Sequence, residues 1–196
     1  MALHCRHRYS LDVDFVTPRL RQGYEEVLGR LELWAGWQTN RRNPPVLILG
    51  ERHGVELGIR QLRFRDRLET TAVDGVRIPT VAEMLRIKAF LMADRRATRD
   101  YLDVAALVDR LGITSAARAL QGLSRLYPPL GRLSAAAAFA EACEAEPADL
   151  AQVDLSSYRG LRRPFNDWPH VADLVRQLGH AVIKRELGAD STPQAQ

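Results

Sequence analysis

The clearest boundary along the chain falls at Pro79-Thr80, and it constrains the fold more than any other feature. Before it, one helix-patterned stretch at 18–37 apart, lie short runs in which apolar side chains alternate, as in strands with one buried face; beyond it they recur at the three- and four-residue spacing of helices. Thr80 with Glu83 three residues later reads as a capping box, opening a helix expected to run to about Met92. Residues 95–111 predict a second helix ended by Gly112, and helices follow near 113–127, 133–145 and 168–187. Breaks are expected at Pro128-Pro129, Pro147 and Pro164, and residues 191–196 read as a frayed polar tail.

In the strand-patterned part, residues 9–17 read Tyr-Ser-Leu-Asp-Val-Asp-Phe-Val-Thr. Period-two alternation sends Asp12 and Asp14 to one face and Leu11, Val13 and Phe15 to the other. Residues 18–37 predict a helix, with Leu20, Tyr24, Val27, Leu28, Leu31 and Trp34 at helical spacing, and residues 40–45 a polar loop. Strands at 46–49 and 55–64 form an expected hairpin through residues 50–54; Val55, Leu57 and Ile59 share one face, Glu56, Gly58 and Arg60 the other. Asp74-Gly75 is a hairpin turn signal, with residues 76–78 as an edge strand. The expected class is α+β: a small mixed β-sheet core with flanking helices over residues 1–111, a C-terminal helical bundle over 112–190, and a tail.

An apolar fraction of 46% over 196 residues suffices for a core, and no apolar run approaches the length of a membrane span. His4, Arg6, His7 and Arg8 exclude a signal peptide at the start of the sequence as given, and Cys5 and Cys143, far apart and without partners at ligand spacing, fit reduced thiols of a cytoplasmic protein. The net charge of +4 permits an anionic partner without requiring one. Among 28 basic residues only Lys88 and Lys184 are lysines, so Lys88 draws notice as a place that suits a compact point charge.

Three groups of residues carry candidate chemistry. Asp12 and Asp14, side by side on a strand, repel each other unless a cation sits between them or both face solvent. Lys88 lies among Met84, Leu91 and Met92 on one helix face, where a lysine either snorkels outward or meets an anion. Asp100 and Asp103 share a face with Val104 and Leu107, and Arg95, Arg96 and Arg99 stand close enough in sequence to pair with them. Trp34, Trp37 and Trp168 are expected in packing, and His53 on the surface.

Taken together, these runs resemble the nucleotidyl transferase AbiEii/AbiGii toxin family, a branch of the DNA polymerase β-like nucleotidyltransferases. His7-Arg8-Tyr9-Ser10-Leu11-Asp12-Val13-Asp14-Phe15 resembles its Asp-x-Asp segment, and the run from Ile78 to Leu91 its helical motif. Arg95-Arg96-Ala97-Thr98-Arg99-Asp100-Tyr101-Leu102-Asp103 resembles its Arg-Asp-x-x-Asp motif. Order, spacing and capping agree over about thirty residues in the second and third runs, and the resemblance covers roughly the first 110.

The resemblance implies that Asp12 and Asp14 hold Mg²⁺ with Glu56 as the third carboxylate, a position more often Asp in the family. It implies that Lys88 binds the phosphates of an NTP, with Ser10 also on the nucleotide side, and that Asp100 or Asp103 orients Lys88 or assists the acceptor. The implied activity is NMP transfer onto an RNA end, such as tRNA, or a protein hydroxyl, in the toxin-like component of a toxin–antitoxin or phage-defence (abortive infection) pair whose antitoxin is encoded separately. The arginine-rich residues 60–67 fit an RNA partner and fit a solvated face equally. The family's pattern includes a glycine turn about ten residues ahead of the Asp-x-Asp strand, opening a helix that receives the triphosphate. Met1-Ala2-Leu3-His4 aligns with the start of that helix, so the turn falls before residue 1 and a start codon placed too late is the expectation. The alternative is a catalytically inactive or truncated relative acting as a binding or regulatory module.

Overall fold

A computed structural model describes residues 2–10, 12–62 and 68–189. The strands are β1 (Asp12–Thr17), β2 (Trp37–Asn43), β3 (Leu47–Arg52), β4 (Val55–Gln61), β5 (Thr70–Val73) and β6 (Val76–Pro79). The helices are α1 (Ala2–Cys5), α2 (Tyr24–Glu32), α3 (Val81–Arg95), α4 (Thr98–Leu111), α5 (Ile113–Ala119), α6 (Leu123–Leu126), α7 (Ala135–Glu144) and α8 (Trp168–Ala189). The class is α+β with a small mixed sheet, as expected. Two compact units are formed, one from residues 10–64 and one from residues 1–9 with 65–196. Compactness thus groups α3 and α4 with the later helices, whereas the sequence boundary was placed after residue 111.

The first unit is a four-stranded sheet in the order β1-β4-β3-β2, with β1 parallel to β4 and the other neighbours antiparallel. The β3–β4 connection is the pair His53-Gly54, both at positive φ (52° and 79°), a twist that matches the flanking strands and lets β3 run on to Arg52. One face is covered by α2. Leu20, Tyr24, Leu28 and Ile48 are buried there with Val27, Leu31, Trp37 and Ile59 packed around them, and the Tyr24 hydroxyl donates to the Leu47 carbonyl at 3.0 Å.

The helix expected over 18–37 is confined to Tyr24–Glu32, and Trp37–Asn43, expected as helix end and loop, is a strand. Gly36, at φ 82°, turns the chain back toward the sheet. Trp37 then lies over Gly50, where an added Cβ would stand 2.2 Å from the ring. That ring-on-glycine contact outweighs the helical spacing that Trp34 completes. Polar residues dominate β2 because it is an edge, where exposed charge blunts unwanted pairing. Val13 and Phe15 of β1, the other edge, keep 43% and 52% of their surface exposed, since α2 centres over Ile48 and Ile59, while Val16, in register with Arg60, is exposed on the opposite face. Leu11 and Phe64, counted within expected strands, lie outside the described residues.

In the second unit β5 and β6 form the expected hairpin across Asp74-Gly75, at φ 50° and 78°. The Thr80 hydroxyl accepts the Glu83 amide at 3.3 Å, and α3 runs three residues past Met92. Arg96, left-handed at φ 52°, and extended Ala97 then break the chain, so α4 begins at Thr98 rather than Arg95. Its cap comes from 51 residues away: Asp149 Oδ1 accepts both the amide and the hydroxyl of Thr98 at 2.7 Å. Tyr101, Leu102, Val104, Leu107 and Val108 make α4 the buried centre of the helical unit. The single helix expected over 113–127 is split by Gly122 at φ 76°. Gly179 of α8 packs on Cys143 of α7, and Ser134 caps α7 through the Ala137 amide. The tail at 191–196 lies outside the described residues. Among the described residues no helix is long and apolar enough to cross a membrane.

Candidate functional site

On the sheet, the face opposite α2 collects acids. Asp12 is the register partner of Glu56 across β1 and β4, and Glu56 is in turn the partner of Glu51 across β4 and β3. Register partners point to the same face, so three carboxylates form a row over three strands. Like charges set directly opposite are destabilising, which gives the row an affinity for a cation. Asp14 stands beside the row, opposite Gly58, and its carboxylate leans into the space a side chain there would fill: an added Cβ would lie 2.1 Å from Asp14 Oδ1. Arg60 Nε donates to the same oxygen at 2.8 Å, and the Ser10 hydroxyl donates to Asp12 Oδ1 at 2.8 Å.

Among the described residues no three His, Cys, Asp or Glu side chains converge on one point. The acids lie alongside one another, with Asp14 turned to Arg60. Exposed carboxylate oxygens are the donors a hard cation such as Mg²⁺ takes, and Asp14 would have to turn from Arg60 for these acids to share one. Glu51 was missed because residues 50–54 were read as a connection; the shorter His53-Gly54 turn brings it into β3.

The second cluster is in the helical unit. Lys88 of α3 does not snorkel: its ammonium sits 2.7 Å from Asp103 Oδ2 and 3.5 Å from Asp100 Oδ1, with both acids fully buried on α4. Arg95 NH2 reaches Asp100 Oδ1 at 2.9 Å, so the arginine pairing considered from sequence also occurs. Asp103 takes two further partners from the N-terminal segment. His7 Nε2 donates to its Oδ1 at 2.9 Å, and Arg8 lies against both oxygens at 3.0–3.2 Å. Because a carboxylate only accepts, the His7 proton is on Nε2. His7 Nδ1 and Asp100 Oδ2 are buried without a hydrogen-bond partner among the described residues.

Burial by itself would raise the Asp103 pKa; the Lys88 charge, the His7 hydrogen bond and the Arg8 charge overcome it and hold the carboxyl well below the usual range. Lys88, Arg8 and Arg95 against two carboxylates leave the cluster net positive. Of the two acids, Asp103 is the nearer to the Lys88 ammonium. His7 and Arg8 were quoted within the Asp-x-Asp run but given no role, since only the fold brings them to α4.

The remaining candidates are structural. Arg52 stacks over the Trp34 ring at 4.1 Å, Trp168 packs near Tyr101 with centroids 5.8 Å apart, and His53 sits exposed in its turn. Burial raises the Cys5 thiol to about 11 and the Cys143 thiol further, so neither is a ready nucleophile.

No family model matches the chain. The heme uptake protein MmpL11 of Mycobacterium tuberculosis (strain CDC 1551 / Oshkosh) is 43% identical over 70 residues, covering 33% of this chain and 7% of that protein. The mycolic acid-containing lipids exporter MmpL11 of Mycolicibacterium smegmatis is 34% identical over 128 residues, covering 61% of this chain and 13% of that protein. The matches thus span a small part of those relatives. Among solved structures, JHP933 from Helicobacter pylori is similar with a TM-score of 0.43 and 13% identity, over 94% of this chain and 82% of that one.

Proposed function

We propose that the chain is a Mg²⁺-dependent nucleotidyltransferase of the AbiEii/AbiGii kind, moving NMP from an NTP onto an RNA end, such as tRNA, or a protein hydroxyl. In this reading it is the cytoplasmic, toxin-like component of a pair with a separately encoded antitoxin. The observation that carries the reading is the exposed acidic face of the sheet, where Asp12 and Glu56 stand in register and Asp14 occupies the gap over Gly58.

Asp12, Asp14 and Glu56 would hold Mg²⁺, whose charge, when it is bound, offsets that of the α-phosphate and the pyrophosphate leaving group. Ser10 fixes the Asp12 carboxylate, and Arg60 balances Asp14 until that carboxylate turns to a ligand. Glu51 adds negative potential to the same row without being required as a donor. In the helical unit Asp103 directs the Lys88 ammonium, and the excess positive charge of that cluster favours phosphate oxygens.

A Mn²⁺ titration followed by thermal unfolding separates this reading from that of an inactive binding module. Saturation at 100 times the dissociation constant adds about 2.7 kcal/mol of stability. The unmutated protein is expected to show it and Asp14→Asn to lose it. Equal stabilisation of both proteins, or of neither, would count against a metal site on this face.

A further inference from the structure

We infer that the helical unit carries a binding groove for a single-stranded nucleic acid, built around Arg6, Arg162 and Tyr9. The inference deepens the acceptor side of the proposed function and rests on that reading for its choice of RNA over other polyanions.

A cavity of about 240 Å³ is lined by Arg6, Arg8, Tyr9, Gly160 and Arg162. The segment at residues 7–9 runs beside residues 159–162, joined by the Tyr9 amide to the Arg159 carbonyl and the Arg162 amide to the His7 carbonyl, each at 2.9 Å. This pairing sets the three arginines around one opening. Arg8 is committed to Asp103, but Arg6 and Arg162 are exposed and have no ion-pair partner among the described residues. Two unneutralised guanidinium groups at the mouth of a cavity attract phosphate and match its oxygens as forks.

Tyr9 supplies the second element. It is 67% exposed, and the Cδ2–Cε2 edge of its ring lies so close to Gly160 that an added Cβ there would stand 2.6 Å away. Glycine at φ 66° therefore both makes the turn and seats the ring. An exposed aromatic platform beside unpaired arginines is the combination that stacks a base and holds its phosphate.

A strand fits better than a free nucleotide because a second depression adjoins the first. A second cavity of about 460 Å³ shares Gly160 and is lined by Tyr158 and Asn166. Arg8 lies 5.7 Å from the Tyr158 ring centroid. The one acid along it, Asp154, keeps its negative charge, its carboxylate accepting from the amide and hydroxyl of Ser156. Two tyrosines and two arginines without ion-pair partners along two adjoining depressions suit successive nucleotides.

The test is fluorescence anisotropy with a labelled single-stranded RNA dodecamer, in EDTA and without NTP. The unmutated protein is compared with Arg6→Glu/Arg162→Glu, the milder Arg6→Gln/Arg162→Gln, Tyr9→Ala, and Arg125→Glu as an exposed arginine elsewhere. Affinity is expected to fall at least tenfold in the charge-reversed variant and less than twofold in Arg125→Glu. The salt dependence in the glutamine variant should lose about 1.4 from its log–log slope, two phosphate contacts at 0.7 each. Tyr9→Ala should weaken binding at least fivefold, the lower end of one base stack. Equal losses in Arg125→Glu and the groove variants, displacement of the RNA by equimolar ATP, or no RNA binding would overturn the inference. Because the assay contains neither metal nor NTP, a chain that binds RNA in the groove yet transfers nothing would fail the proposed function alone, and one that labels protein with no groove-dependent RNA binding would fail this inference alone.

Discussion

Asp103 keeps its charge with no exposed surface because Lys88, His7 and Arg8 enclose it. A carboxyl held below its unfolded pKa contributes stability in full above that unfolded value, near 4, and loses it progressively as pH falls toward the lower folded value. Asp103→Asn should therefore destabilise by about 3 kcal/mol at pH 7, the low end for breaking a buried pair, with the difference from the unmutated protein narrowing below about pH 4 in urea melts. Gly58→Ala makes a different kind of change. The new methyl displaces the end of a flexible side chain, so Mn²⁺ stabilisation should be lost with a melting shift of a few degrees at most. Of the residues in these clusters, the two aspartates of β1, Lys88 and the α4 acids were singled out in the sequence by spacing together with the family resemblance. His7, Arg8 and Glu51 were not: the first two act across a sequence gap of about a hundred residues, and the third depended on a turn length.

Element boundaries went astray where a tertiary contact decided them. Helical spacing runs without interruption to Trp34, and nothing local announces that Trp37 will pair with β3; the ring needs Gly50 beneath it, which only the sheet supplies. The start of α4 moved because Asp149 caps Thr98 from outside the local sequence. Asp149→Ala should lower stability by about 1 kcal/mol, measured by denaturant unfolding. At the α7–α8 contact, Gly179→Ala places a methyl 2.7 Å from Cys143 Cβ. Overpacking of that kind costs about 1–3 kcal/mol, more than the roughly 1 kcal/mol that alanine gains in helix propensity, so a net loss is expected on thermal unfolding. By contrast, the β5–β6 hairpin, the Thr80 cap and the Gly112 stop were legible because their signals are local.

Over the whole molecule, the α+β class followed from short strand-patterned runs before Pro79-Thr80, with one helix among them, and helix-patterned sequence after it. The division into units did not follow, because the residues 1–9 that join the helical unit are separated from it in sequence by the entire sheet. The acidic face belongs to one unit and the lysine cluster to the other, so each can be disabled by its own substitution. Label transfer from each of the four α-³²P NTPs, with Mg²⁺ and with total tRNA and the protein itself as acceptors, tests the central claim most directly. Labelled product is predicted with the unmutated protein from at least one NTP, and none with Asp14→Asn or Lys88→Ala. Undiminished label in both variants, or no label from any of the four nucleotides on either acceptor, would contradict a nucleotidyltransferase built on these residues.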